Sequence, residues 1–248
     1  MSSLDTESWC RTNVRIVVKA QPVEVKRVRL NREVICGAAA DLLAETDAAT
    51  FSLRALGERL GVDATAFYRH FADKDDLLRE LGDRSLAPAT RGFKATDDPR
   101  DDIRRMCTGL RRTLLRNQVG LSITSLGPTR RTNELQITEV LLDALMRAGL
   151  DTDRAAMVYH VFIEYTVGSA VLDAPLAAIG LQRSATYRQW RADYQKLASN
   201  DYPAITATFR SLYPSSDLVF EEGLEALIGT LVPKPASRRA RTRAVPNR

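Results

Sequence analysis

The sequence predicts an all-α protein, and three observations carry that expectation. Apolar residues recur at helical spacing along most of the chain from about residue 31 onward. The breaks between these stretches hold glycine and proline: Gly61, Pro88, Gly127-Pro128, Gly149, Pro175, Gly180 and Pro214. Strict alternation of apolar and charged residues occurs only at 23–29, too short and unpartnered to build a sheet.

Residues 1–29 lack a helical period and Pro22 divides them, so they are expected to form a flexible basic arm. The first helix covers about 31–45, where Val34, Ile35, Ala38, Ala39 and Leu42 make one apolar stripe. Ser52 is suited to cap the next helix, whose Leu53, Leu56 and Leu60 share a face, and Gly61 ends it. A third short helix runs from about Asp63 to Phe71. A fourth starts at Asp73, where Asp73 and Asp76 form a capping-box-like pair. Beyond Ala87-Pro88 the periodic segments cover about 99–116, 133–148, 153–173, 185–198, 202–212 and 217–231. This cadence divides the chain into a flexible arm at 1–29, a small three-helix domain at 30–84 and a larger helical domain at 85–232. The last sixteen residues, 233–248, set Pro233, Pro235 and Pro246 among arginines and read as a disordered basic tail.

The 248 residues are 44% apolar and 27% charged, as in an ordinary soluble globular protein. Cys10, Cys36 and Cys107 are scattered and odd in number, so they are expected to be reduced thiols in a cytoplasm. No metal site and no cofactor is expected. The first thirty residues lack a continuous apolar region of the secretory kind. The longest apolar stretch, 155–181, is interrupted by His160, Glu164, Asp173 and Pro175, so a buried helix is expected instead of a membrane span.

Charge is uneven. Residues 1–32 carry seven Lys/Arg against three Asp/Glu, residues 233–248 six against none, and the remainder 23 against 28. Basic ends beside a folded domain suit a polyanion, because neutralised phosphates release counterions. A purely solubilising role for the tail stays open.

The informative segment is 52–74. Two short helices joined by a tight Gly61-Val62 turn are what a helix-turn-helix needs. With Phe67 turned inward, Phe71 shares its face, while Thr65, Tyr68 and Arg69 lie on the opposite side. The string from Leu30 to Leu81 resembles the DNA-binding domain of the TetR (tetracycline-repressor-like) family. The resemblance rests on Ser52-Leu53-Arg54-Ala55-Leu56, Leu60-Gly61-Val62 and Phe67-Tyr68-Arg69-His70-Phe71 followed by Lys74 and Leu77-Leu78. It implies that Ala64 and Thr65 face base edges, that Tyr68, His70 and Lys74 hold phosphates, and that Ser52 and Arg54 touch DNA from the preceding helix. Arg54 or Arg69 has the reach and chemistry to read guanine. Simpler readings stand beside these: Tyr68 as a packing aromatic, His70 as a polar helix end, Arg69 paired with Asp73, and Asp63 as a cap. Residues 33–84 hold 11 acids against 6 bases, so affinity would lean on placed cations and on the basic segment 26–32.

The resemblance also implies a double-stranded operator as partner and a second domain that dimerises and binds a small hydrophobic effector. The homodimer would pair helices near 153–173 and 217–231 as a four-helix bundle, although Gly168 and Ala170 also suit packing within one subunit. Implied effector liners are Met106, Leu110, Ile123, Tyr159, Phe162, Ile163 and Thr166, although most of them suit ordinary core better, since apolar residues at helical spacing make cores first. Glu164 and His160 interrupt an apolar helix as polar groups able to orient a ligand. The namesake's magnesium–drug site relies on a histidine around the middle of this domain. This sequence has Ser122 and Ile123 thereabouts and only two histidines in total, so that complex is not the expected effector. The expected function is a DNA-binding regulator, a repressor of a palindromic operator released by an effector. An effector-free DNA-binding dimer and an activator are alternatives. An enzyme is not expected, because the chain lacks Gly-x-Ser-x-Gly, a phosphate-binding glycine loop, His-Glu-x-x-His and paired cysteines.

Overall fold

The structure, a computed structural model, describes residues 29–46, 50–178, 183–197 and 200–234. The expected arm (all but Arg29), most of the expected tail, and Cys10 lie outside the described residues.

Every element among the described residues is helical, as the periodicity predicts. Asn31 opens α1 (Arg32–Glu45) by accepting the Val34 amide. Ser52 opens α2 (Leu53–Leu60) through the Ala55 amide, and Gly61 closes it in the left-handed conformation at φ 65°. Asp63 caps a 3-10 helix over Ala64–Arg69. Asp73 opens α3 (Lys74–Thr90) by accepting the Asp76 amide, and Asp76 in turn accepts the Ala72 amide. There follow α4 (Pro99–Arg116), α5 (Gln118–Thr124), α6 (Thr132–Arg147), α7 (Thr152–Ala178), α8 (Arg183–Gln195), α9 (Pro203–Thr208) and α10 (Ser216–Leu231).

Three differences from the sequence reading have physical reasons. The buried stripe of α1 is Ile35, Cys36, Ala39 and Leu43, about one position further round than expected, because Cys36 packs as a small apolar residue. Pro88 and Pro175 sit inside α3 and α7 without ending them. Each removes one backbone bond, and tertiary packing of long helices outweighs that loss. The short α5 escaped notice because seven residues make under two turns of pattern; its signal is Asn117, which accepts the Gly120 amide.

Helix α4 runs through the centre of the larger core, against α3, α6, α7 and α10. Ile103, Met106, Leu141, Phe162 and Phe220 are among its fully or nearly fully buried members. A second apolar group, Ile35, Leu56, Phe67, Phe71 and Leu77, holds α1, α2, the 3-10 helix and the start of α3. The division expected between residues 84 and 85 falls inside α3, one continuous helix.

Two buried carboxylates tie elements together. Asp102 accepts from the Thr96 amide (2.9 Å) and hydroxyl (3.0 Å), from Arg147 (2.6 Å) and from Arg105. It thereby joins the start of α4 to the end of α6. Asp83 of α3 accepts from the Asn133 and Glu134 amides at 3.2 and 2.9 Å. It caps α6 from another helix, where the helix's own N-cap, Arg131, makes no side-chain cap bond.

Candidate nucleic-acid interface and ligand cavity

The candidate reading face is built by anchoring one side of a short helix. Phe67 and Phe71 are buried, and a Phe67 carbonyl bond from Phe71 closes the 3-10 helix onto them. The opposite side then has to point outward: Thr65 and Arg69 are exposed and Tyr68 is 58% exposed. The expected split of faces is therefore what the fold produces. Gly57 sets how closely α2 and this helix approach, since a Cβ there would lie 2.7 Å from the Val62 carbonyl oxygen.

Each candidate contact residue has a definite state. Ser52 spends its hydroxyl oxygen on the Ala55 amide. Arg54 is almost fully exposed and pairs with Glu58 at 3.1 Å. Such exposed pairs are worth under about 1 kcal/mol, so Arg54 exchanges partners at little cost. Ala64 is half-buried at the first position of the 3-10 helix. The Thr65 hydroxyl donates to Asp63 at 2.6 Å, which leaves only oxygen lone pairs facing out. Asp63 is thus the cap; its carboxyl lies below the usual carboxylate range because the Thr65 hydroxyl and amide both donate to it. Arg69 does not pair with Asp73, which instead engages the Asp76 amide and lies 3.8 Å from Arg79. His70 is half-exposed, and its carbonyl accepts Arg32, whose guanidinium also stacks 4.2 Å from the centre of the Phe71 ring. Lys74 opens α3 with its ammonium over the Phe51 ring at 5.7 Å. Phe51, which is buried, is a residue sequence reasoning missed; its place as a large apolar residue directly before the Ser52 cap was the available signal.

In the larger domain a cavity of about 500 Å³ opens between α4, the 124–129 segment, α6 and α7. Of the candidate liners, Leu110, Tyr159 and Ile163 face it. Met106, Ile123, Phe162 and Thr166 pack in the core behind and beside it. The polar part of the wall includes Glu134, Thr138, Tyr159, His160 and Glu164, together with Thr124, Ser125 and Thr129. Glu134 and Thr138 went unmarked in the sequence because α6 shows no polar interruption that stands out from its exposed face. Burial raises the Tyr159 pKa more than the Thr138 hydroxyl lowers it.

The far side of α7 is apolar yet uncovered. Ala155, Val158, Phe162, Thr166 and Ala170 form its buried stripe, whereas Met157, Val171 and Leu172 are exposed, as are Leu218 and Val219 of α10. By length and composition the segment Thr152–Pro175 is apolar enough to cross a membrane, yet it forms one wall of the helical core against α4, α6 and α10. Ala170 and Ser169 serve packing within the subunit, Ser169 through Arg111 at 3.0 Å, while a Cβ on Gly168 would meet open space.

Two family descriptions match this architecture. Residues 35–81 match "Bacterial regulatory proteins, tetR family", and residues 93–231 match the C-terminal domain of tetracycline-repressor-like proteins. An HTH-type transcriptional repressor of Mycobacterium tuberculosis is 31% identical over 155 residues, which is 60% of this chain and 59% of that protein. The match therefore spans less than two thirds of that relative's length. The class C tetracycline repressor protein of Escherichia coli is 30% identical over 210 residues, covering 82% of this chain and 91% of the relative. The solved structure of ActR from Streptomyces coelicolor, in complex with actinorhodin, superposes with a TM-score of 0.71 over 82% of this chain and 97% of ActR. At 20% identity that likeness shows the fold alone. The helix-turn-helix head, the helical body behind it and these matches to both parts place the chain in the TetR family of bacterial transcriptional regulators.

Proposed function

We propose that this protein is a transcriptional repressor that binds a palindromic operator as a homodimer and is released by a small hydrophobic effector. The observation that carries the reading is the reading face: two buried phenylalanines force Thr65, Tyr68 and Arg69 outward on one short helix. Ala64 and Thr65 would meet base edges, Arg69 and Arg54 are placed to reach guanine or phosphate, and Ser52, Tyr68, His70 and Lys74 would hold the backbone. The head is then residues 30–84 and the effector and dimerisation body residues 85–232, acting in the bacterial cytoplasm. The exposed apolar residues of α7 and α10 favour a second copy as the occupant of that face, which sets two heads on one duplex. Leu110, Tyr159 and Ile163 supply an apolar wall for the effector, whose binding energy couples to the head through α3.

The test is a titration of the purified protein against DNA spanning its own promoter, at fixed salt, beside Tyr68→Ala and Lys74→Ala. Saturable binding to a palindromic site, weakened by about 1 kcal/mol or more in each variant, supports the reading. Binding that is salt-sensitive but sequence-blind, and unmoved by either substitution, sinks it.

A further inference from the structure

We infer that the α6–α7 cavity takes an amphiphilic cation, an apolar body of drug size bearing one amine or quaternary ammonium. The inference rests on the effector reading above and concerns the chemistry of the ligand alone.

The cavity's size, about 500 Å³, suits a drug-sized molecule. Leu110, Leu114, Ile137, Ile163 and Val167 make most of its wall apolar. Two carboxylates, Glu134 and Glu164, stand on that wall, and no lysine or arginine lines it. Among the described residues neither carboxylate pairs with a lysine or arginine elsewhere. The proton inventory points the same way. Thr138 lies 3.0 Å from Glu134 Oε1 and 2.8 Å from the Tyr159 hydroxyl oxygen. A carboxylate only accepts, so Thr138 must give its one proton to Glu134, and Tyr159 must give its own to Thr138. The other Glu134 oxygen accepts the Arg130 amide at 3.0 Å. The chain Tyr159–Thr138–Glu134 thus turns its protons inward and offers lone pairs to whatever sits in the cavity. An anionic ligand would meet two like charges beside an apolar wall, and a neutral one would leave the half-buried Glu134 carboxylate without a countercharge, with Glu164 adding a second, solvent-exposed negative charge on the same wall. A cation answers both.

Three anthracene probes of nearly equal shape separate the possibilities: 9-anthracenylmethyl-trimethylammonium, 9-anthracenemethanol and 9-anthracenecarboxylate. The trimethylammonium group has no N–H, so any advantage it shows reads charge and not hydrogen bonding. Binding is followed by fluorescence anisotropy on the full chain without DNA, in wild type, Glu134→Gln and Glu164→Gln, with melting curves confirming that each variant is folded. The cation is expected to bind at least about tenfold more tightly than the alcohol, with the carboxylate weakest. That ratio should fall about threefold or more in each variant while alcohol affinity stays nearly constant. Equal or tighter binding of the alcohol or carboxylate, a cation preference that survives both substitutions, or no binding of any probe overturns the proposal. The effector reading fails separately. Cation binding that leaves operator DNA in place supports this ligand class and sinks that reading, and release by equally well-bound neutral or anionic probes does the reverse.

Discussion

Asp102 has no solvent exposure and gathers four donors from three segments. Burial alone raises its pKa, yet Arg147, the Thr96 amide and hydroxyl, and Arg105 outweigh it and hold the carboxyl below the usual value. A depressed folded pKa means stability that is fully present above about pH 4 and lost as pH falls through the folded value. Asp102→Asn should therefore cost about 3 kcal/mol at neutral pH, because Arg147 and Arg105 lose their buried partner and keep only the more exposed Asp143 and Asp101. The deficit in urea unfolding should shrink as the pH is lowered below about 4, and an undiminished deficit in acid would show that packing, not charge, is what the side chain supplies. The cysteines have the opposite character. Burial pushes the Cys107 thiol up to about 12 and the Cys36 thiol up to about 11. Iodoacetamide at about pH 8 should leave both unmodified in the native protein and alkylate both after unfolding, read by peptide mass spectrometry. Rapid native labelling of Cys107 would mean that the core around Met106 and Phe162 opens readily.

At the scale of the element, two glycines, Gly57 within α2 and Gly61 in the turn that follows it, have different duties. Gly61 supplies φ 65° in open space, so Gly61→Ala should cost about 1 kcal/mol of conformational strain. Gly57 has no Cβ because the Val62 carbonyl oxygen occupies its place at 2.7 Å. Gly57→Ala should destabilise the head by about 1–3 kcal/mol and displace the reading helix. Its operator affinity should fall further than that of Gly61→Ala, although neither changes a side chain proposed to meet DNA. If both variants melt earlier but bind DNA equally, the α2 approach does not set the reading geometry. The head was legible in the sequence because its caps and anchors are local: Ser52, Asp73 and the Phe67/Phe71 pair act within a few residues of their own position. The cavity was only partly legible. Leu110, Tyr159 and Ile163 share helical spacing with core residues such as Met106 and Phe162, and only the packing of α4 against α6 and α7 decides which face the void. The Asp83 cap of α6 was invisible for the same reason, since fifty residues separate donor and acceptor.

At the scale of the whole molecule, the cavity wall and the reading helix are joined by a continuous set of polar contacts. Thr129 lines the cavity and donates to Asp83 of α3 at 3.3 Å. Arg131, two residues on, pairs with Asp76 and lies 3.0 Å from Glu80. Glu80 also binds Arg32 at 3.0 Å and Arg84 at 2.8 Å. Arg32 then donates to the His70 carbonyl and stacks on Phe71, at the end of the reading helix. Burial works against the Glu80 carboxylate, but Arg84 and Arg32 hold its pKa below the usual value, so the charge on which the set depends is secure. A ligand that moves the 124–131 segment would act on α3 through these contacts and, through Glu80, on Arg32. Arg131→Ala should accordingly leave effector affinity without DNA nearly unchanged and reduce operator affinity only modestly. The change in operator affinity on saturating the protein with a compound that releases the wild type should shrink by about tenfold or more, within the 1–3 kcal/mol range of ordinary coupling energies. Titrating operator with and without that compound, in wild type and variant, measures the coupling directly. A variant that loses DNA affinity but keeps the full effector response would make Arg131 a static brace, and the packing of α5 against α3 would then be the route by which the cavity speaks to the head.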